Sequence, residues 1–562
     1  MKRIIPAIIA IVLIILVIGG SFGLKMLEKY SYSDEKQNLE EYYNISANDQ
    51  IAIVLQNEHI EQQAKLIDGY CYMTITDVQT LLNKRFYYDS NEGLLLFTTP
   101  TQIISNVVGA SAYSVDGEVI DTDYVVSMVV DDTLYVAMDY VRQFTNFNYE
   151  YMTDPNRIQL RTQWGERTSA FIKKDTNLRV KGGVKSAILR SLPKGESVVI
   201  LEEMETWTKV KTNDAFIGYV ENKFLKGQMV EEEISASHYE EPEYTSIQRD
   251  YKINLGWHDV EVASANSTFD EFVNGTGTMN VISPTWFTIT NNDGSISSIA
   301  SKEYVDKAHA RNMEVWALID NFSTNVDTHE VLSYTSKRTF IIDTLMQAVK
   351  DYNLDGINVD FETLDYSTGP HFVQFLRELS VACRLNGVVL SVDNYVPRES
   401  SAHYDREEQG IIADYVIIMG YDEHWGGGGV AGSVASIGFV EDGIARTVEE
   451  VPAHKVINAL PFYTRVWKTK GGDVTSEALG MEATQNFINN YSVPVVWDEV
   501  ACQNYGEKEM SGVLYQVWIE DAKSIETKLT IMKKYGLGGV AAWKLGLEDK
   551  AIWDVIDAFV KS

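Results

Sequence analysis

From Arg249 to the carboxyl end, short apolar runs alternate with amphipathic stretches, a pattern that drives a chain toward a parallel sheet. Parallel neighbours need a long crossover each, so helices must cover the sheet and its strands are buried on both faces. Eight runs are centred on Asn254 to Trp257, Asn280 to Phe287, Glu314 to Phe322, Gly356 to Glu362, Val388 to Val396, Asp414 to Tyr421, Lys455 to Phe462 and Gly539 to Trp543. Eight such units over residues 249–562 predict an α/β fold, a (β/α)8 TIM barrel whose functional residues gather at the carboxyl ends of its strands. After the fourth run, Phe372, Phe375, Leu376, Leu379 and Cys383 share one helical face, which assigns Cys383 to the core.

The fourth run also carries the strongest chemical signal, Asp355-Gly-Ile-Asn358-Val-Asp360-Phe-Glu362. Strand side chains alternate, so Asn358, Asp360 and Glu362 share the face opposite Ile357, Val359 and Phe361. Two carboxylates and an amide inside a barrel are costly unless they pair, share a proton or meet a substrate. The wider composition narrows the partner. Lys and Arg number 48 against 80 Asp and Glu, and the net charge of −32 repels nucleic-acid backbones, so no nucleic-acid partner is expected. The 31 Tyr and 11 Trp suit sugar faces as well as cores. Cys71, Cys383 and Cys502 form no CxxC pair, and the histidines form no HExxH, so no metal and no cofactor is expected.

The fourth-run motif resembles the DxxDxDxE signature of glycoside hydrolase family 18. Met419-Gly-Tyr421-Asp422 is similar to that family's Met-x-Tyr-Asp, and Leu460-Pro-Phe-Tyr463 to its Leu-Pro-Phe-Tyr. Trp543 ends the eighth run where the family carries its sugar-platform tryptophan. Two departures stand out: Asn358 replaces the usual central Asp, and Ala317-Leu-Ile-Asp-Asn321 lacks the Ser-x-Gly-Gly of typical chitinases. The Asn form resembles the branch containing cortex-lytic and other peptidoglycan-directed N-acetylglucosaminidases. The implied substrate is therefore a β-1,4-linked N-acetylglucosamine-containing glycan of the bacterial wall, with chitin or chitooligosaccharides as the alternative.

The resemblance implies a retaining, substrate-assisted glycosidase. Glu362 would protonate the glycosidic oxygen and later deprotonate water, while the sugar's own acetamido oxygen attacks the anomeric carbon. Asp360 would hold the acetamido N–H, its charge raising the Glu362 pKa, and Tyr421 would fix the acetamido oxygen. The implied substrate-binding residues are Asn358, Asp422, Trp543, Met419, Tyr463 and Asn321, with Asp355 supporting the strand. A non-catalytic lectin or scaffold on the same barrel is the rival reading, and the intact Glu362 weighs against it. Residues 424–432, rich in glycine, either line the mouth or form a solvent-exposed turn.

At the amino end, Lys2 and Arg3 precede an uncharged run from Ile4 to Leu24. At about 1.5 Å per residue, this run is long enough for a hydrocarbon core of roughly 30 Å. No A-x-A-like site follows it, so residues 1–30 are expected to be an uncleaved single-pass anchor in the cell membrane, with the catalytic region outside. After a linker over 31–50, residues 51–165 show a weak repeat, Tyr72-Met-Thr-Ile-Thr-Asp against Tyr135-Val-Ala-Met-Asp-Tyr. Each copy reads strand, short helix, strand, turn, strand, and the arrangement resembles the amine-oxidase-type amino-terminal domain, here a spacer without copper chemistry. Residues 166–228, with Trp207-Thr-Lys-Val210 and Ile217-Gly-Tyr-Val220, resemble the bacterial SH3-like domain, which implies a cell-wall peptide as ligand. Trp207 and Tyr219 serve either its core or its ligand face. Residues 229–248, with Glu231, Glu232 and Glu233, are expected to be a solvated acidic linker.

Overall fold

The computed structural model describes residues 5–562 apart from 236 and 238. Each of the eight apolar runs contains a strand: β1 (Ile253–His258), β2 (Val281–Ile289), β3 (Glu314–Asp320), β4 (Gly356–Asp360), β5 (Val389–Tyr395), β6 (Tyr415–Met419), β7 (Val456–Pro461) and β8 (Gly539–Trp543). Successive strands pair in parallel, and β8 pairs with both β7 and β1, which closes the (β/α)8 barrel. Alternation along the strands divides the apolar side chains into two layers. Leu255, Trp257, Trp316, Tyr415 and Ile457 fill the interior, whereas Ile357, Val359, Val392 and Val416 point outward onto the helices. The helix Gly369–Asn386 buries Phe372, Phe375, Leu376, Leu379 and Cys383 as its periodicity predicts. The Phe375 ring lies parallel to Phe361 at 5.5 Å, and Gly387 ends the helix in the left-handed conformation at φ 68°.

The sequence reading did not anticipate the insertion between β7 and β8. Tyr463–Lys470, Asp473–Gly480, Val495–Asp498, Gln503–Met510 and Val513–Ile519 form a five-stranded antiparallel sheet, accompanied by the helix Met481–Tyr491.

Residues 87–105, 114–118 and 242–562 form one compact unit. Part of the expected module at 51–165 therefore belongs to the same compact unit as the barrel. The cause is a buried guanidinium. Arg338, fully buried, donates through Nε and Nη2 to Glu378 at 2.9 and 3.0 Å and through Nη1 to the Leu332 carbonyl at 2.7 Å. Its Nη1 also reaches the Tyr87 hydroxyl at 3.3 Å. Nearby, Asp89 accepts from both the main-chain and hydroxyl groups of Thr335 at 2.6 Å, and Gln374 donates to Thr98. The strands Tyr87–Asp89 and Leu94–Thr98 therefore complete the polar shell of two barrel helices.

The other unit comprises residues up to 86, 106–113 and 119–241. Both repeat copies read strand–helix–strand–turn–strand: the copy with strands Thr133–Ala137, Asn148–Met152 and Arg157–Arg161 lies in this unit, whereas the other has Tyr70–Thr74 here and Tyr87–Asp89 and Leu94–Thr98 in the barrel unit. Farther along, seven strands between Gly165 and Glu233 form a sheet around Ile172, Leu178, Val198, Val210 and Val220. Its last strand, Leu225–Glu233, pairs with Gly165–Ile172, so Glu231, Glu232 and Glu233 belong to a strand rather than to the expected linker. Arg161 and Arg167 supply the reason, holding Glu233 at 2.9 and 3.1 Å. Trp207 is half-buried, with its side chain against Gly182. The amino-terminal helix Ile5–Tyr30 contains a stretch, Ile8–Tyr30, long and apolar enough to cross a membrane. Ile11, Leu13, Leu16 and Val17 on it are exposed, and Lys2 and Arg3 lie outside the described residues.

Replacing Glu378 with Ala strands the buried Arg338 charge and is expected to remove about 3–5 kcal/mol of stability. Urea unfolding checks this, and a loss below about 1 kcal/mol would show that the pair is not structural.

Candidate active site

Asn358 and Asp360 face the barrel interior from β4, and Glu362 stands just past the strand, where Thr363 turns the chain with φ 54°. Asn321, beyond the end of β3, fixes that turn. Its Oδ1 accepts the Glu362 N–H at 2.9 Å, and its Nδ2 donates to the Glu362 carbonyl at 3.0 Å and to Thr328 Oγ1 at 2.9 Å. The Asn321 amide is thus engaged with the main chain that carries the acid. The Tyr395 hydroxyl donates to Glu362 Oε2 at 2.6 Å.

Burial raises the Glu362 pKa above the usual carboxylate range; the Tyr395 hydrogen bond opposes this and the Asp422 charge adds to it. Burial, reinforced by the charges of Asp393, Glu362 and Asp320, holds the Asp360 carboxyl itself well above its ordinary value and favours its neutral form.

Asn358 lies deeper. It is fully buried, with Oδ1 accepting from Trp257 Nε1 at 2.9 Å and Ser283 Oγ at 3.0 Å, and Nδ2 donating to Asp393 Oδ1 at 2.8 Å. The amide is engaged on both sides by protein groups and orients Asp393. Tyr463 is likewise buried, and its hydroxyl donates to Asp422 Oδ1 at 2.6 Å, so it acts through the exposed Asp422. Arg465 lies 3.9 Å from that carboxylate. Tyr421 and Met419 are half-buried at the end of β6, and burial beside Asp360, Asp393 and Glu362 keeps the Tyr421 phenol protonated. Trp543 is half-buried at the end of β8 and meets Trp257 edge-on at 6.0 Å. Asp355 lies at the other end of β4, accepting the Val315 N–H and pairing with His309, both at 2.8 Å. In the glycine-rich loop Trp425 is 55% exposed, while Gly432 packs against the His424 ring.

Asp320, Asp393 and Tyr395 belong to the same site and were not singled out from the sequence. Asp320 accepts from Thr288 Oγ1 at 3.0 Å and from the Phe322 N–H at 3.0 Å. For the other two a signal existed: Ser391, Asp393 and Tyr395 alternate along β5 and face the interior beside β4. Three polar residues at a spacing of two, opposite a face that carries Val392 and Asn394, mark a face that meets something polar.

Residues 276–548 match the family of glycosyl hydrolases family 18, and residues 174–226 match the bacterial SH3 domain. The barrel is thus similar to the glycosidase domains of that family. The chain is similar to the cortical fragment-lytic enzyme of Bacillus anthracis, 30% identical over 247 residues that cover 42% of this chain and 56% of that one. It is also similar to the uncharacterized glycosylase YvbX of Bacillus subtilis (strain 168), 27% identical over 50% of this chain and 84% of that one. The chain thus spans just over half the length of the cortical fragment-lytic enzyme it matches. The fold is shared with the Bacillus cereus spore cortex-lytic enzyme SleL, at a TM-score of 0.50 and 23% identity over 54% of this chain and 73% of that one.

A carboxyl held neutral by burial binds a proton that the unfolded chain has released, so its contribution to stability falls as pH rises above the ordinary aspartate value of 3.8. Asp360→Asn removes that dependence. The variant is expected to be more stable than the parent by about 1 kcal/mol near pH 8, with the gap closing toward pH 4, as read by thermal unfolding. A gap that widens on acidification would contradict a neutral Asp360.

Proposed function

We propose that this chain is a membrane-tethered glycosidase that cleaves peptidoglycan at N-acetylglucosamine residues, by a retaining path in which the substrate's acetamido group is the nucleophile. The observation that carries the proposal is the arrangement around Glu362: one carboxyl, raised by burial and held by Tyr395, stands at the mouth, while the second carboxyl, Asp360, lies buried on the strand beneath it. A buried Asp360 is poorly placed to attack an anomeric carbon and well placed to receive an N–H. Glu362 gives its proton to the leaving oxygen, the acetamido oxygen closes on the anomeric carbon, and Asp360 balances the oxazolinium charge. Water then opens the ring as Glu362 takes its proton back. Tyr421 directs the acetamido oxygen, Trp543 and Met419 support the sugar, and Asp422 is the exposed carboxylate beside it.

Peptidoglycan is preferred to chitin because Asn358 stands where the chitinase pattern has Asp, and because the cortical fragment-lytic and cortex-lytic enzymes are among the chain's relatives. The Ile8–Tyr30 stretch supports a single-pass anchor that holds the barrel near the wall and offsets repulsion between a chain of net charge −32 and anionic wall polymers. We assign a wall-peptide ligand to the SH3 module and a spacer role of the amine-oxidase amino-terminal type to the repeat module.

The full-length chain in detergent micelles, incubated with purified peptidoglycan and with chitooligosaccharides, is expected to release fragments with new N-acetylglucosamine reducing ends, identified by mass spectrometry. Glu362→Gln is expected to lower kcat about 100- to 10,000-fold with little change in KM. Glycan binding without turnover by the parent chain would leave a lectin. Tyr395→Phe removes a donor that favours the Glu362 anion, so the alkaline limb of the pH–rate profile is expected to move to higher pH.

A further inference from the structure

Position 358 holds an amide, which can neither take nor give a proton in the working range. A carboxylate nevertheless faces the interior from the adjacent strand, one inward step farther along. The β4–β5 register pairs Asn358 with Ser391 and Val359 with Val392, so the next step along both strands sets Asp360 beside Asp393. Asp393 is 2% exposed and Asp360 7%. The Asn358 amide has one possible orientation, because Trp257 and Ser283 both donate to its Oδ1, and its Nδ2–H therefore points to Asp393 Oδ1. Asp360 Oδ1, by contrast, is buried without a hydrogen-bond partner among the described residues. Two adjacent buried carboxyls cannot both ionise cheaply, and one proton shared between them removes the conflict.

We propose that Asp393 is a positioning residue that takes the Asp360 proton when substrate binds and returns it after hydrolysis, supplying from the fifth strand the second carboxylate that Asn358 removes from the fourth. The inference rests on the substrate-assisted reading above. At rest the proton sits on Asp360, which has no donor on Oδ1; burial pushes the Asp393 carboxyl up as well, but there the Asn358 N–H opposes it. When the acetamido N–H arrives, the proton passes from Asp360 to Asp393, and the Asp360 anion accepts the N–H as the oxazolinium forms. Glu362 transfers its own proton to the glycosidic oxygen as that bond breaks. Water then delivers hydroxide to the anomeric carbon and a proton to Glu362, the acetamide reforms, and Asp393 returns its proton to Asp360. The pair carries one negative charge throughout, and no outside acid or base is required. The groups facing it are Asp320 from β3, Glu362 after β4, Tyr404, and Tyr421 after β6.

The test uses the full-length chain and a chitooligosaccharide of defined length. Asp393→Asn is expected to lower kcat about 100-fold while leaving KM within about twofold. The decisive variant exchanges the pair, Asn358→Asp with Asp393→Asn, which keeps one carboxylate and one amide in contact and only reverses their strands. It is expected to recover kcat at least about tenfold over Asp393→Asn alone, with the same thermal midpoint. Asp393→Asn within about threefold of the parent kcat, or a loss that the exchange does not repair at equal stability, overturns the proposal. A readout without turnover separates this from failure of the glycosidase reading. In the Glu362→Gln background, the infrared signal of the protonated buried carboxyl should titrate at least about one pH unit lower after Asp393→Asn. If the parent hydrolyses nothing, the proposed function falls while this shift still supports the shared proton, and an unshifted titration overturns it.

Discussion

The barrel interior must hide carboxyl groups from water, and much of the site follows from how it does so. Asp320, Asp360 and Asp393 project inward from β3, β4 and β5 above a floor of Trp257, Trp316 and Tyr415. In so dry a setting a negative charge is tolerated only where donors converge on it, so each acid is characterised by the donors it has. Asp320 has Thr288 and a main-chain N–H, Asp393 has the Asn358 amide, and Glu362 has Tyr395. Asp360 Oδ1 has none among the described residues. The outer face of the same strands keeps the arrangement rigid, because Ile357, Val359 and Phe361 are clamped beneath the helix Gly369–Asn386.

The sequence was most informative where local pattern and tertiary demand coincide. The barrel strands are buried on both faces and bounded by helices of clear periodicity, so their order and number could be read from apolar runs alone. Asn358, Asp360 and Glu362 were legible because alternation places them together on one strand. Their division of labour was not, since depth along the barrel axis depends on the closed geometry: Asn358 is sealed below, Asp360 sits at the boundary, and Glu362 reaches the mouth. Asp393 and Tyr395 were harder still. Their importance comes from lying next to β4 in the sheet, a relation between residues more than 30 positions apart that no single run displays.

The same limit explains the misplaced boundaries. Glu231, Glu232 and Glu233 read as a solvated charge run until Arg161 and Arg167, more than 60 residues earlier, are found opposite them. The insertion after β7 escaped notice because its antiparallel strands mix buried and exposed positions in weakly patterned segments, unlike the buried barrel strands around them. Composition spoke only to what the chain avoids.

The hairpin that caps the Arg338 cluster carries a consequence for the order of events at the ribosome. Asp89 and its partner Thr335 are 246 residues apart, an interval that takes roughly 12 to 50 s to synthesise at about 5–20 residues per second. The strands Tyr87–Asp89 and Leu94–Thr98 can pair with each other early, yet the polar groups that complete them emerge only after β3 has been made. For that interval the nascent chain carries a half-built surface with Tyr87 and Asp89 awaiting their partners. Completion of this hairpin is thus timed by synthesis of the barrel, and an elongation pause before residue 335 would lengthen the wait rather than relieve it.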